Sequence, residues 1–253
     1  MITREEIQAG KHEVTLKTLV NGGTGTGKTY YAFTHPKIAY LGTEPNGLDT
    51  ARTNKELLEN LVWAEEFIPS PTEDIKAVFE RLDVAVRKAH SDTAIKTLVL
   101  DNITYLSENR WIYINKYEAL RTGSGALDTR GMYGTLSRWL YNFTLTQLLS
   151  FKGNVVVTCH EQSESEEAME KKVDKTTPIV PSILGGFREK ISGMFSASIY
   201  LEKKRISDNK YNYTAICQHW NQREAKNRYG LPEIVSNVSY QTILASMGNG
   251  ATK

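Results

Sequence analysis

At about 100–200 residues per domain, 253 residues make one large domain or two small ones. A chain that is 40% hydrophobic and 24% charged is neither disordered nor fibrous. Its 31 Lys and Arg against 29 Asp and Glu leave a formal charge of +2, which singles out no partner; only the distribution of charge could do so.

In chain order, a β-branched run at 14–20 reads as a first strand that ends in glycines. A second short strand is predicted at 37–41. A helix follows at 72–90, opened by a loose capping box at Thr72. Then come a third strand at 97–100, helices at 104–120 and 133–150, and a fourth strand at 154–158. The strand stretches are short, continuous apolar runs, as expected of strands covered on both faces in a parallel sheet. Their alternation with helices implies right-handed crossovers and a doubly wound α/β fold. Further on, 195–201 and 211–217 read as strands around the polar turn Ser207, Asp208 and Asn209, an antiparallel hairpin extending the sheet.

With no repeat and no long linker, 1–245 is expected to be one domain and 246–253 a flexible tail. The start is polar, without the apolar run of a signal peptide, and no stretch of about 18 apolar residues could span a membrane. The two cysteines, Cys159 and Cys217, make no disulfide framework. A cytoplasmic chain without a membrane partner is expected.

Gly22, Gly23, Thr24, Gly25, Thr26, Gly27, Lys28 and Thr29 satisfy G-x-x-x-x-G-K-[ST] directly after the first predicted strand. The glycines let successive backbone N–H groups turn toward an anion, and the helix that follows offers its N-terminus to the same charge. Lys28 can reach β- and γ-phosphates, and the Thr29 hydroxyl can ligate Mg²⁺. The pattern therefore points to ATP with Mg²⁺. The apolar run at 98–100 ends in Asp101, the form of a strand carrying the metal-side carboxylate; Asp101 or Asn102 could instead cap the next helix. Glu44 follows the second strand, where ligands of open α/β sheets collect, and could activate water or be a solvated loop acid. His160 closes the fourth strand, placed either to sense a γ-phosphate or to serve the structure.

A glutamate after the second strand, the Asp101 strand, and a polar residue closing the next strand together resemble the RecA-like ATPase core, which differs in that glutamate from AAA-type ATPases. Within it, Lys226-x-Arg228 resembles the Lys-x-Arg element of ring helicases and clock ATPases. The resemblance implies that Lys226 and Arg228 reach a neighbouring subunit's γ-phosphate. Residues one apart share a face in a strand, so both could meet one anion; two solvated edge cations are the alternative. With 157–160 and 181–187, the element is similar to that of short bacteriophage RecA-like proteins implicated in single-strand annealing and recombination. The likeness covers roughly residues 14–235. It departs at His160, where RecA has glutamine, and in a chain that begins almost at the P-loop strand, so no N-terminal protomer-linking domain is expected.

The same resemblance implies DNA contacts in two loops. The first, 121–134, is glycine-rich and carries Arg121, Arg130 and Tyr133, groups suited to phosphates and base stacking, or simply to a mobile surface loop. The second, 161–177, has six acids against three lysines, among them Lys171 and Lys172, and would repel a phosphate backbone unless the lysines alone face it. Nine cations against four acids at 186–230 give a compensating basic stretch. The implied function is a magnesium-dependent ATPase that oligomerises and acts on single-stranded DNA, with a single-strand-binding protein as a further candidate partner. A ring translocase or helicase, and a DNA-independent nucleotide switch or small-molecule kinase, remain the alternatives.

Overall fold

The computed structural model describes residues 15–163, 178–207, 210–220 and 222–247. The first strand, β1 (Lys17–Gly22), runs into the glycine-rich loop and helix α1 (Lys28–Phe33). There follow β2 (Ile38–Gly42), the short helices α2 (Asp49–Arg52) and α3 (Lys55–Leu58), β3 (Leu61–Glu66) and the long helix α4 (Ile75–Ser91). Next are β4 (Thr97–Asp101), α5 (Ile103–Tyr117), α6 (Thr129–Asn142), a π-helical turn (Phe143–Leu148) and β5 (Asn154–Ser163). The last third holds β6 (Ile179–Pro181), α7 (Arg188–Met194), β7 (Ala197–Ser207), β8 (Lys210–Ile216), β9 (Lys226–Asn227), β10 (Ile234–Ser236) and α8 (Tyr240–Ser246).

Among the described residues these strands form one sheet of order β10-β8-β7-β1-β5-β4-β2-β3, with β6 on β5 and β9 on β7. The run from β7 to β3 is parallel throughout; β8, β9, β10 and β6 pair antiparallel. The alternating pleat of each strand sends successive side chains to opposite faces, which divides the core in two. Leu98, Leu100, Val155 and Val157 pack with α4, α5 and α6 on one face. Val99, Val156, Ile199 and Leu201 pack with Tyr31, Phe33 and Tyr40 on the other. Both cysteines are buried free thiols, each pushed up to about 12 by burial, which makes them inert. No described helix is long and apolar enough to cross a membrane.

Several expectations are corrected. The cap of α4 is Asp74, whose carboxylate accepts from the Lys76 amide at 2.8 Å, two residues beyond Thr72. The helix expected at 133–150 starts at Thr129, where Asp128 caps it, and after Asn142 its ladder widens to π spacing. Strand β3 was not foreseen: Lys88 Nζ lies 4.5 Å from the Trp63 ring centre, so a polar side chain covers an edge strand whose residues, save the exposed Val62, are partly buried. The final helix reaches Ser246, inside the expected tail, and 248–253 lie outside the described residues.

Candidate nucleotide-binding site

The loop between β1 and α1 turns on Gly25 (φ 75°) and Gly27 (φ 92°), backbone angles that a side chain would strain. It borders a cleft of about 260 Å³ that also meets Lys28, Thr29, Glu44 and His160. Thr26 Oγ1 donates to the Gly23 carbonyl at 2.8 Å and closes the turn. Lys28 is 5% exposed, and its ammonium donates to the Gly22 and Gly23 carbonyls at 2.8 and 2.9 Å. Burial lowers its pKa, and the nearby Glu44 and Asp101 oppose that shift.

Beside the loop, Asp101 is fully buried at the end of β4. Thr29 Oγ1 and Tyr40 OH donate to its Oδ2 at 2.8 and 2.9 Å, and Thr158 Oγ1 donates to Oδ1. Burial raises the Asp101 pKa; the Thr158 and Thr29 hydroxyls pull the other way. The Thr29 hydroxyl and this carboxylate are thus in contact, the donor pair through which a P-loop protein holds Mg²⁺ while phosphates and water supply the other ligands. Glycine at 47 is required by the same packing, since a Cβ there would meet Tyr40 OH at 2.2 Å.

Glu44 stands past the end of β2, fixed by amides: Thr43 N and Glu44 N both donate to the Asp101 carbonyl, at 2.7 and 3.1 Å. Asn102 Nδ2 donates to Glu44 Oε2 at 2.5 Å, while Asn102 Oδ1 accepts from Tyr105 N and caps α5. The second Glu44 oxygen lies 3.6 Å from His160 Nε2. His160 Nδ1 in turn lies 3.4 Å from Lys28 Nζ. The imidazole thus lies between the Lys28 ammonium and the Glu44 carboxylate. Burial would raise the Glu44 pKa, but His160, Lys28 and Asn102 together hold it below the ordinary carboxylate range. An ionised carboxylate in this position can orient a water and accept its proton.

Lys28, Thr29, Asp101, Glu44 and His160 therefore converge, His160 from inside β5, which runs on to Ser163 past the end expected at 158. Lys226 and Arg228 do not join them. β9 lies against the start of β7, with Lys226 opposite Ser198, which is itself level with Leu19 in β1, below the loop. β9 ends at Asn227, but the ladder runs on through Arg228, whose amide donates to the Ser196 carbonyl at 2.9 Å; Arg228 is exposed, and the Lys226 ammonium donates to the Gly193 carbonyl at 2.5 Å. Arg121 lies in the loop before α6, its guanidinium on the Gly125 carbonyl at 2.8 Å. Arg130 and Tyr133 belong to α6 and not to the loop, Tyr133 stacked on Trp111 at 4.3 Å. Lys171 and Lys172 lie outside the described residues.

Several partners went unread in the sequence. Tyr40 and Thr158 hold Asp101 from neighbouring strands, legible only once strand order is known. Glu161, next to His160, takes a bidentate ion pair from Arg223 at 3.0 and 3.1 Å, and Arg223 reaches Glu202 at 2.9 Å.

β5 stands between the P-loop strand and the Asp101 strand, and an acid follows β2; that order and site define a P-loop ATPase. A family model described as an AAA domain matches residues 15–229, and the chain belongs to that family. No curated protein matches the sequence. Among solved structures it is similar to the RadB recombinase, at 17% identity over 93% of this chain and 94% of that one, with a TM-score of 0.43. It is also similar to a prototypical ATPase from the type III secretion system of pathogenic bacteria (11%; 74% and 51%; TM-score 0.45). A third is the flagellar accessory protein FlaH from Methanocaldococcus jannaschii (12%; 85% and 83%; TM-score 0.37). Strand order and P-loop, not these distant likenesses, define the class.

Proposed function

We propose that the chain is a cytoplasmic, Mg²⁺-dependent ATPase that assembles with itself into a ring or filament, binds single-stranded DNA and anneals strands in phage-type recombination. The observation that carries the chemical part is the contact chain Lys28–His160–Glu44–Asn102 beside Thr29–Asp101. Within it Lys28 presents its charge to the β- and γ-phosphates. Mg²⁺, held by Thr29 and, directly or through water, Asp101, would neutralise charge on the transferred phosphoryl group. Glu44, oriented by Asn102, positions the attacking water and takes its proton. His160, one residue before the 161–177 segment, links the phosphate end of the cleft to that segment. The placement of Lys226 and Arg228 away from their own loop favours a role in a neighbour's site, which requires assembly.

ATP hydrolysis with and without single-stranded DNA, with Lys28→Ala as the blank, tests this. A rate raised severalfold by DNA is expected. A rate indifferent to DNA removes the recombination reading and leaves a nucleotide switch or kinase, whereas directional unwinding would make the chain a helicase.

A further inference from the structure

The β7–β8 hairpin reaches beyond the body of the sheet. The first five residues of β7 are buried, and 203–207 are all exposed. In the ladder Lys203 opposes Tyr213 and Arg205 opposes Tyr211. Directly opposed residues, and residues two apart, share a face. One face of the arm therefore interleaves two cations with two tyrosines. The Lys203 ammonium lies 4.1 Å from the Tyr211 ring centre and 5.8 Å from that of Tyr213. Tyr211 is 46% exposed. On the opposite face Lys204 pairs with Glu202 at 3.3 Å. The foot of the arm rests on the nucleotide loop: a Cβ on Gly27 would lie 2.9 Å from the Tyr213 ring, and Gly27 immediately precedes Lys28.

We infer that this face of the hairpin is a binding site for single-stranded nucleic acid, coupled through Tyr213 to the P-loop; the inference rests on the DNA-binding reading above and adds a site to it. Cations at strand spacing, roughly 6.8 Å between same-face residues, match the repeat of phosphates along an extended strand. The aromatic rings between them offer stacking faces, which only unpaired bases can use. An acidic protein would engage the cations and leave the tyrosines without a role. Because Tyr213 touches Gly27, occupancy of the arm and of the nucleotide cleft bias each other, and the bias is reciprocal.

The test is fluorescence anisotropy of a labelled oligothymidylate with the full chain, across a salt series, with and without ATP and Mg²⁺. Lys203→Ala with Arg205→Ala should weaken binding about tenfold and reduce the salt slope by about 1.4, two phosphates at roughly 0.7 each. Tyr211→Ala should weaken binding and leave the slope unchanged. Tyr213→Leu, which keeps bulk but loses a stacking face, should weaken binding in both nucleotide states and abolish its dependence on nucleotide. Lys203 and Tyr211 are exposed, and thermal melting of each variant separates lost binding from lost folding. If the wild type binds and the alanine pair matches it in affinity and slope, the hairpin site is wrong and the DNA-binding reading stands. A wild type that ignores the oligonucleotide in every nucleotide state removes that reading and this site together. Wild-type affinity that is the same with and without ATP overturns the coupling, and equal displacement by polyglutamate and by unlabelled oligonucleotide overturns the nucleic-acid assignment.

Discussion

A carboxylate with no exposure and three hydroxyl donors, Asp101, is held in place at the expense of the fold. Its pKa in the folded chain lies above the unfolded value, so its ionisation costs stability as pH rises through the acid range, and the cost persists at neutral pH. Asp101→Asn preserves the shape, and its amide meets hydroxyls that can reverse their bonds. At pH 7 it should raise stability by about 1–3 kcal/mol and lower hydrolysis by roughly a hundredfold or more. The gain should shrink as pH falls through the raised folded-state pKa and vanish below about pH 4, where the carboxyl is neutral in both the folded and the unfolded chain. Thermal melting against pH together with a turnover assay checks both halves; a destabilised variant would mean that the hydroxyls more than compensate burial.

Single elements here serve local structure and chemistry at once. Asn102 caps α5 with one atom and orients Glu44 with the other, so the start of a helix and the catalytic geometry share a residue. Asn102→Asp keeps the acceptor for Tyr105 N but turns a donor facing Glu44 into a like charge. Because Asn102 is fully buried, the new carboxylate should lower stability by about 1–3 kcal/mol at neutral pH, a cost that belongs to the charge and not to the cap, which is kept. Hydrolysis should fall, and its acid limb should move to higher pH as the Glu44 pKa rises. A pH–rate profile that only drops, without shifting, would argue against Glu44 as the ionised group. In this respect the sequence was half legible: Asn102 reads as a cap from its place before α5, yet its second bond depends on β2 ending beside β4.

At the scale of the whole molecule, the sheet order places Lys226 and Arg228 across β7 from the P-loop strand and below the loop. They can complete a site only if another copy brings its own to them. Lys226→Ala with Arg228→Ala should therefore cut turnover on the order of a thousandfold while nucleotide affinity, measured by calorimetry, stays within about twofold. Unchanged turnover would make both residues ordinary edge cations and remove the argument for assembly.

The glycine-rich motif, the Asp101 strand and the parallel α/β class follow from sequence alone, because they rest on local rules: backbone freedom at Gly25 and Gly27, continuous apolar runs at 98–100 and 155–157, and short-range caps. Length and edge position defeated the same rules at β3, where Leu61–Glu66 carries a cross-strand role in a mixed pattern, and at β9, too short to show a period. The widening of the ladder after Asn142 leaves no mark in hydrophobic spacing. What only the tertiary structure decided is which strand ends become neighbours. Thr29, Tyr40, Glu44, Asp101, Thr158 and His160 are scattered over more than half the chain, and the order β1-β5-β4-β2 sets them side by side. It also seats Tyr213 on Gly27, far from it in the chain. Local propensity acts over a few residues; the contacts that make this site act across strands, and no one-dimensional pattern records which strands pair.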